Sequence, residues 1–234
     1  MRILFLDITS HDGLLACVTE ERVLASRPID HRVGDHELVP LIEDVLHEAV
    51  WSYEDLTHLA CVIGPGGFTS LRVGVSCINA LSWALKIPST GIHLSDLYGA
   101  RMPPPLTPPP SAGEGEQPPS PPQGGRGQGM GALWLHSTKR TELFIRGFGD
   151  FAKEWPQPTH IPLDDLMSRF QSPKTYHLQP ITYIGELLPE HRAFMEVRGG
   201  EKLSLCPVRD ALPSFLPSLT YQIQVLQPWY GRGW

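Results

Sequence analysis

No run of about 18 consecutive apolar residues occurs in this chain, so a membrane-spanning helix is not expected. No Cys-x-x-Cys pair occurs either, although there are four cysteines, Cys17, Cys61, Cys77 and Cys206. A zinc site on paired thiols is therefore not expected, and buried reduced thiols are the plain reading. A basic excess is missing too. Lys and Arg number 19 against 25 Asp and Glu, a formal charge of −6. That balance argues against a stand-alone nucleic-acid binder, but it leaves room for a subunit whose partner holds the RNA. The opening MRILFLDITS is too short and too acidic for a secretion signal, so a soluble, cytoplasmic protein is expected. What is present is enough apolar material, 41% of 234 residues, to build a core for one large domain or two small ones.

The usual catalytic signatures are also missing. There is no Gly-x-Ser-x-Gly, no His-Glu-x-x-His, no P-loop Gly-Lys-Ser/Thr and no Gly-x-Gly-x-x-Gly. His31, His36 and His47 cluster in or near one helical segment without ligand spacing, which reads as solvated or partly buried histidines. No metal site and no cofactor are expected. Glu43, Asp44, Asp164 and Asp165 fall on polar helix faces and read as solvated surface.

One segment stands apart. Pro103 to Gly129 reads PPPLTPPPSAGEGEQPPSPPQGGRGQG and holds ten of the 24 prolines. It has too few apolar side chains to offset its ordering entropy, so a disordered or polyproline-like surface loop is expected. Its PxxP spacing follows from composition alone.

Before that insert, Ile3–Ile8, Leu14–Thr19 and Val23–Ile29 read as a three-stranded meander, with His11-Asp12-Gly13 and Glu20-Glu21 as turns. Leu38, Leu41, Ile42, Val45, Leu46 and Ala49 recur at helical spacing, with Asp35 as N-cap and Pro40 near the start. His58–Ile63 is a strand, residues from Leu71 to Lys86 form a helix stopped before Pro88, and Ser89–Ile92 is a short strand. Ser95 caps a last helix reaching Tyr98. After the insert the spacing predicts strands at Ala132–His136 and Glu142–Phe148 around a polar turn at Ser137–Thr141. A short helix follows at Pro162–Phe170, with strands at Ile181–Ile184 and Phe194–Val197. Pro213 and Pro217 argue against a long helix near the end. The order suggests an α/β fold, a mixed sheet covered by helices, with the second half a degraded copy of the same plan.

Two places invite chemistry. In Gly64-Pro65-Gly66-Gly67-Phe68-Thr69-Ser70 a strand ends, glycines turn the chain and a helix begins. Backbone N–H groups there can hold an anion, or the glycines can simply connect strand to helix. Asp7, with Thr9 and Ser10, ends the first strand. It can orient a phosphate or a metal-bound water, or it can close the following turn through local side-chain bonds, and both readings stand.

These stretches resemble the TsaB family, also called YeaZ, of the actin/Hsp70/sugar-kinase superfamily. Ile3-Leu4-Phe5-Leu6-Asp7-Ile8-Thr9-Ser10 is similar to its "ILAIDTS" start and Leu38-Val39-Pro40-Leu41-Ile42 to its "LLPLI" helix. Gly64 to Gly74, GPGGFTSLRVG, is similar to its most specific signature, "GPGSFTGLRIG". Leu226-Gln227-Pro228-Trp229-Tyr230-Gly231-Arg232 looks like a worn form of its C-terminal "P.YLR". The likeness covers about the first 100 residues well. Where the family has Asp-Ala-Arg-x-x-Glu-Val-Tyr, His136 takes the place of the Asp, and Gly67 and Ser70 replace the usual Ser and Gly.

The resemblance implies two actin-like (ribonuclease H-like) lobes: 1–102, the insert 103–129, a degenerate second lobe 130–220, and a tail 221–234 returning to the first. It implies a non-catalytic subunit that dimerises with a TsaD-like catalyst making N6-threonylcarbamoyladenosine on tRNA, with a TsaE-like ATPase as a further partner. Such a subunit would reach tRNA only through the complex and could homodimerise when alone. By analogy the interface is the helix pair 36–50 and 70–86, with Leu38, Ile42, Leu71, Val75, Ile78 and Trp83 as contacts. Both helices are more apolar than one sheet-facing stripe needs. The alternative is that all six are core. A vestigial phosphate site would use Asp7, Thr9, Ser10, Gly64, Gly66, Gly67 and Thr69. Two other readings are carried: a nucleotide-binding switch with ATP between the lobes, and a glycoprotease-type peptidase. The first lacks a second glycine loop around His136–Thr141. The second lacks a recognisable nucleophile–base pair.

Overall fold

The computed structural model describes residues 1–29, 33–103, 131–171 and 181–231. His31 and all of the proline-rich stretch except Pro103 lie outside the described residues.

The first sheet begins with β1 (Ile3–Asp7), β2 (Leu14–Val18) and β3 (Val23–Pro28), an antiparallel meander in which Ile3 pairs with Val18 and Asp7 with Leu14. β4 (His58–Gly64) and β5 (Ser89–His93) then add in parallel on the other side of β1, giving the order β3-β2-β1-β4-β5. All five residues of β1 are buried, because both faces of this sheet are covered. Ile3 and Phe5 enter one apolar core, while Leu4 and Leu6 enter another. That is the two-residue alternation of a strand.

The outer core is covered by α1 (Asp35–Glu48) and α2 (Phe68–Leu85). The N-cap of α1 is Gly34, not Asp35: the Gly34 N–H donates to the Glu37 carboxylate at 2.8 Å. Pro40 lies inside the helix, further in than the first-turn position where proline costs least. α2 starts directly after Gly67 and ends at Lys86, which adopts a left-handed conformation two residues before Pro88. The opposite face is covered by α3 (Leu94–Ala100), whose cap is also one the sequence missed. The His93 ring, not Ser95, accepts the Ser95 N–H at 3.1 Å.

The second sheet repeats this plan. β6 (Ala132–Lys139), β7 (Glu142–Phe148) and β8 (Thr159–Pro162) form an antiparallel meander. β9 (Thr182–Glu186) and the two-residue β10 (Glu201–Lys202) add in parallel beside β6, giving β10-β9-β6-β7-β8. α4 (Leu163–Gln171) and α5 (Pro189–Val197) flank its outer core with Leu166 and Met195. The expected strand at Phe194–Val197 is therefore the end of a helix. His191 and Met195, four residues apart, are its buried face, and Pro189 sits at its first turn, where no N–H is needed.

Between the sheets lies one continuous core. Phe5, Val62 and Tyr98 of the first half meet Trp134, Phe144 and Ile184 of the second. α6 (Val208–Phe215) packs Val208 and Leu212 into it against β2 and β3, so the chain is back on the first sheet ahead of residue 221. Pro213 is tolerated in that eight-residue helix, and a 3-10 turn, Leu216–Ser218, follows.

Candidate functional site

A cleft of ≈ 1230 Å³ opens between the two sheets. It is lined by the chain leaving β1 and β4, by residues of β6, β7 and β8, by the end of β9, and by the starts of α2 and α5. Ligand pockets in α/β sheets lie outside such strand ends.

From the first half comes the turn after β1. Both oxygens of the buried Asp7 carboxylate are occupied: one accepts the Thr9 N–H at 2.9 Å and the Thr9 hydroxyl at 3.0 Å, and the other accepts the Ser10 hydroxyl. Of the two sequence readings of Asp7, the geometry is that of a closed local turn. The loop after β4 follows. Gly66 lies so close to Thr9 that a Cβ would stand 2.6 Å from the Thr9 Cβ. Gly64 has φ of +135°, and a side chain there would run into the Trp229 carbonyl. The chain can thus pass between β1 and the C-terminal segment only with glycine at these places. No side chain caps the start of α2, which opens on the cleft with Gly67, Phe68, Thr69 and Ser70.

From the second half come His136 of β6 and, beside it, Glu186 at the end of β9, both buried. The His136 Nδ1 is 3.7 Å from the Glu186 carboxylate and has no hydrogen-bond partner. Glu186 also reaches into the first half, accepting the His11 N–H and the Tyr98 hydroxyl, each at 2.9 Å. Burial raises the Glu186 carboxyl above the usual range. The same desolvation lowers His136 to about 4, helped by His11 and His93 nearby, so the ring is neutral at pH 7. His93, lowered to about 4 by burial, stands edge-on to Trp134 and Trp229 at 5.6 and 4.3 Å. Glu142 pairs with His160 at 3.2 Å and with Lys139 at 3.5 Å. The start of α5 closes the far wall with Leu188, Pro189 and the exposed Arg192.

The C-terminal segment crosses the cleft. Trp229 donates its N–H to the Ile63 carbonyl at 2.7 Å and packs on Phe144 at 4.9 Å. Tyr230 packs on Phe68 at 5.1 Å, and Leu226 exchanges two hydrogen bonds with Asn79 of α2, at 2.9 and 3.0 Å. Among the described residues, no three His, Cys, Asp or Glu side chains are arranged to hold a metal ion. No described helix is long and apolar enough to cross a membrane.

Comparison with known proteins bears on the same regions. The family model of TsaD, tRNA N6-adenosine threonylcarbamoyltransferase, matches residues 31–115. The tRNA threonylcarbamoyladenosine biosynthesis protein TsaB of Bacillus subtilis (strain 168) is 28% identical over 102 residues, 43% of this chain and 44% of that protein. The tRNA N6-adenosine threonylcarbamoyltransferase of Syntrophus aciditrophicus (strain SB) is 30% identical over 110 residues, 40% of this chain and 32% of that protein. The matches thus span less than half the length of either relative. The fold agrees over much more of the chain. A crystal structure of an uncharacterized protein with similarity to peptidase YeaZ from Pseudomonas aeruginosa superposes with a TM-score of 0.61 at 16% identity, covering 99% of both chains. YeaZ from Pseudomonas aeruginosa gives 0.53 at 17% identity, covering 91% of this chain and 89% of that one.

Part of the chain is thus similar to TsaB and to the threonylcarbamoyltransferase, and the fold is similar to that of the YeaZ structures. At such identities the two structures carry the fold alone, an α/β arrangement of two mixed sheets with helices.

In this TsaB/YeaZ-like chain the six residues singled out on the helix pair separate. Leu38, Ile42, Leu71, Val75 and Ile78 are each at most 2% exposed, so they are core and not an open face. Trp83 is 84% exposed. The apolar surplus read from the sequence is real, but α1 and α2 spend most of it on the core over their own sheet. Two further exposed side chains, Val39 and Phe68, were not singled out. His136, Glu186 and Arg192 were also missed as cleft residues. The only sequence signal for them was His136 standing where the family carries Asp.

Proposed function

We propose that this chain is a non-catalytic, TsaB-like subunit that dimerises with a TsaD-like catalyst for N6-threonylcarbamoyladenosine modification of tRNA. One observation carries the reading: both curated likenesses are to threonylcarbamoyladenosine proteins, and both fall on a chain whose α2 keeps an open outer face. Along that face Arg72, Ser76, Ala80 and Ala84 recur every four residues, with Trp83 beside them. Small side chains let a partner helix approach closely, and a lone exposed Trp is a frequent anchor of interfaces.

The subunit would act by binding the competent state of the catalyst better than its other states, which shifts that population without donating a reactive group. It would work in the cytoplasm and meet tRNA only through the complex, with a TsaE-like ATPase as a further member. Alone, the same face would pair two copies. The test is complementation: the gene should restore the modified nucleoside in bacterial cells lacking their own TsaB, and Trp83→Asp should not. Failure of the unmodified gene, expressed as folded protein beside its own TsaD-like partner, would sink the reading.

A further inference from the structure

We infer that Ser137 and His191 form a nucleophile–base pair in the wall of the cleft, able to hydrolyse an uncharged carboxylic ester. This activity is the chain's own. It stands apart from the partner reading above, in which the chain lends no reactive group to tRNA modification.

The two side chains lie 54 residues apart in sequence and meet in space: Ser137 Oγ stands 2.7 Å from His191 Nδ1. The other ring nitrogen, Nε2, is 2.8 Å from the Arg140 carbonyl. A carbonyl only accepts, so Nε2 carries the ring hydrogen, and in the neutral imidazole Nδ1 is the acceptor. Ser137 therefore donates its hydroxyl proton to His191. That is the order of a general-base site: a nucleophile, a base, and a third group that fixes the tautomer of the base. Each member is held in place. His191 is 1% exposed, in the first turn of α5. Leu188 donates its N–H to Ser137 Oγ at 2.9 Å, which fixes the hydroxyl. The pairing of β6 with β7 slips between Ser137 and Lys139, a bulge of the kind that re-aims a strand side chain. Ser137 is half-buried and lines the cleft, so the nucleophile is open to a ligand while the base behind it is shut away from water.

An ester carbonyl placed against Ser137 completes the arrangement. Ser137 Oγ attacks the carbonyl carbon while its proton passes to His191 Nδ1. The same proton leaves on the alcohol oxygen as the C–O bond breaks, and the acyl group stays on Ser137. Water then attacks that acyl carbon. One of its protons passes to His191 Nδ1 and from there to Ser137 Oγ as the acid departs. The sum is ester plus water to acid plus alcohol, with no other reactant. The class of ester follows from the lining. Phe144, Leu187, Leu188 and Trp229 line the cleft with Ser137, so an apolar acyl chain or an aromatic ring is covered there. Arg192, the residue after His191, lines the same cleft as a cation for the negative charge that develops on the attacked oxygen.

Two measurements on the purified full chain test this: hydrolysis of p-nitrophenyl butyrate, and covalent labelling by a fluorophosphonate that reacts with activated serines, read by intact mass and peptide mapping. Turnover above the buffer rate is expected, with a single label on Ser137. Ser137→Ala should abolish both. His191→Gln should slow both by about a hundredfold or more, the usual share of a general base. If His191→Gln does not fold, Ser137→Ala and the mapped label decide the matter between them. Ser168→Ala, an exposed serine on α4, should change neither. A folded chain with no turnover and no label, a label on another residue, or hydrolysis that survives Ser137→Ala would each overturn the proposal.

Discussion

At the scale of single residues, the buried titratable groups around the cleft set the response to acid. Burial lowers His93 and His136 to about 4, so between about 6.5 and 4 the folded chain holds fewer protons than the unfolded chain. Stability present above pH 6.5 is therefore lost as pH falls through that window. Glu186 works in the opposite sense. Its raised carboxyl gives stability at low pH that fades as pH rises, and it offsets part of the loss. In urea titrations from pH 6.5 to 4.5 the midpoint should drop, and His136→Gln should drop less. Parallel slopes in the two proteins would remove His136 from this account. The glycines give a second expectation. Gly64 needs a positive φ and has the Trp229 carbonyl where a Cβ would go, so Gly64→Ala should cost about 1–3 kcal/mol by thermal melting. A melting temperature within a degree of the parent would mean that the C-terminal segment does not lie against β4.

At the scale of elements, α2 has two faces whose substitutions should behave differently. Ile78 is wholly buried against the first sheet, and Ile78→Ala should cost about 2–5 kcal/mol. Trp83 stands in solvent, and Trp83→Asp should change stability by no more than about 0.5 kcal/mol. Equal losses from the two would mean that Trp83 is packed in solution. The sequence located nearly all the first-half elements, because each strand there is a buried apolar run and each helix shows a clear period. It did not tell which apolar stripe faces the sheet. α2 carries large apolar residues off its sheet-facing stripe as well as on it, so periodicity alone cannot separate Ile78 from Trp83. The caps slipped by one or two residues for a similar reason. Gly34 and His93 cap through a backbone N–H and a ring nitrogen, which no simple Ser/Thr/Asp rule anticipates.

At the scale of the whole molecule, two sheets of identical strand order meet across a shared core, and the cleft is the seam they leave. The duplication was legible only in outline. β8 and β10 are four and two residues long, too short to produce a pattern. α5 carries few apolar residues, so its end passed for a strand. The cleft residues of the second half were hidden for another reason. His136 lies far along the chain from Glu186 and Arg192, and only the parallel pairing of β6 with β9 and the turn into α5 bring them together.

The central claim is that this chain is a partner subunit that docks through the open face of α2. The most direct measurement is size-exclusion chromatography with light scattering of the chain mixed with a TsaD-like catalyst at micromolar concentration. A one-to-one complex is expected, with Trp83→Asp weakening it by roughly tenfold or more, as loss of a central aromatic anchor does. Separate elution of the two folded proteins, or a complex indifferent to Trp83→Asp and to further substitutions along Arg72, Ser76 and Ala80, would contradict it.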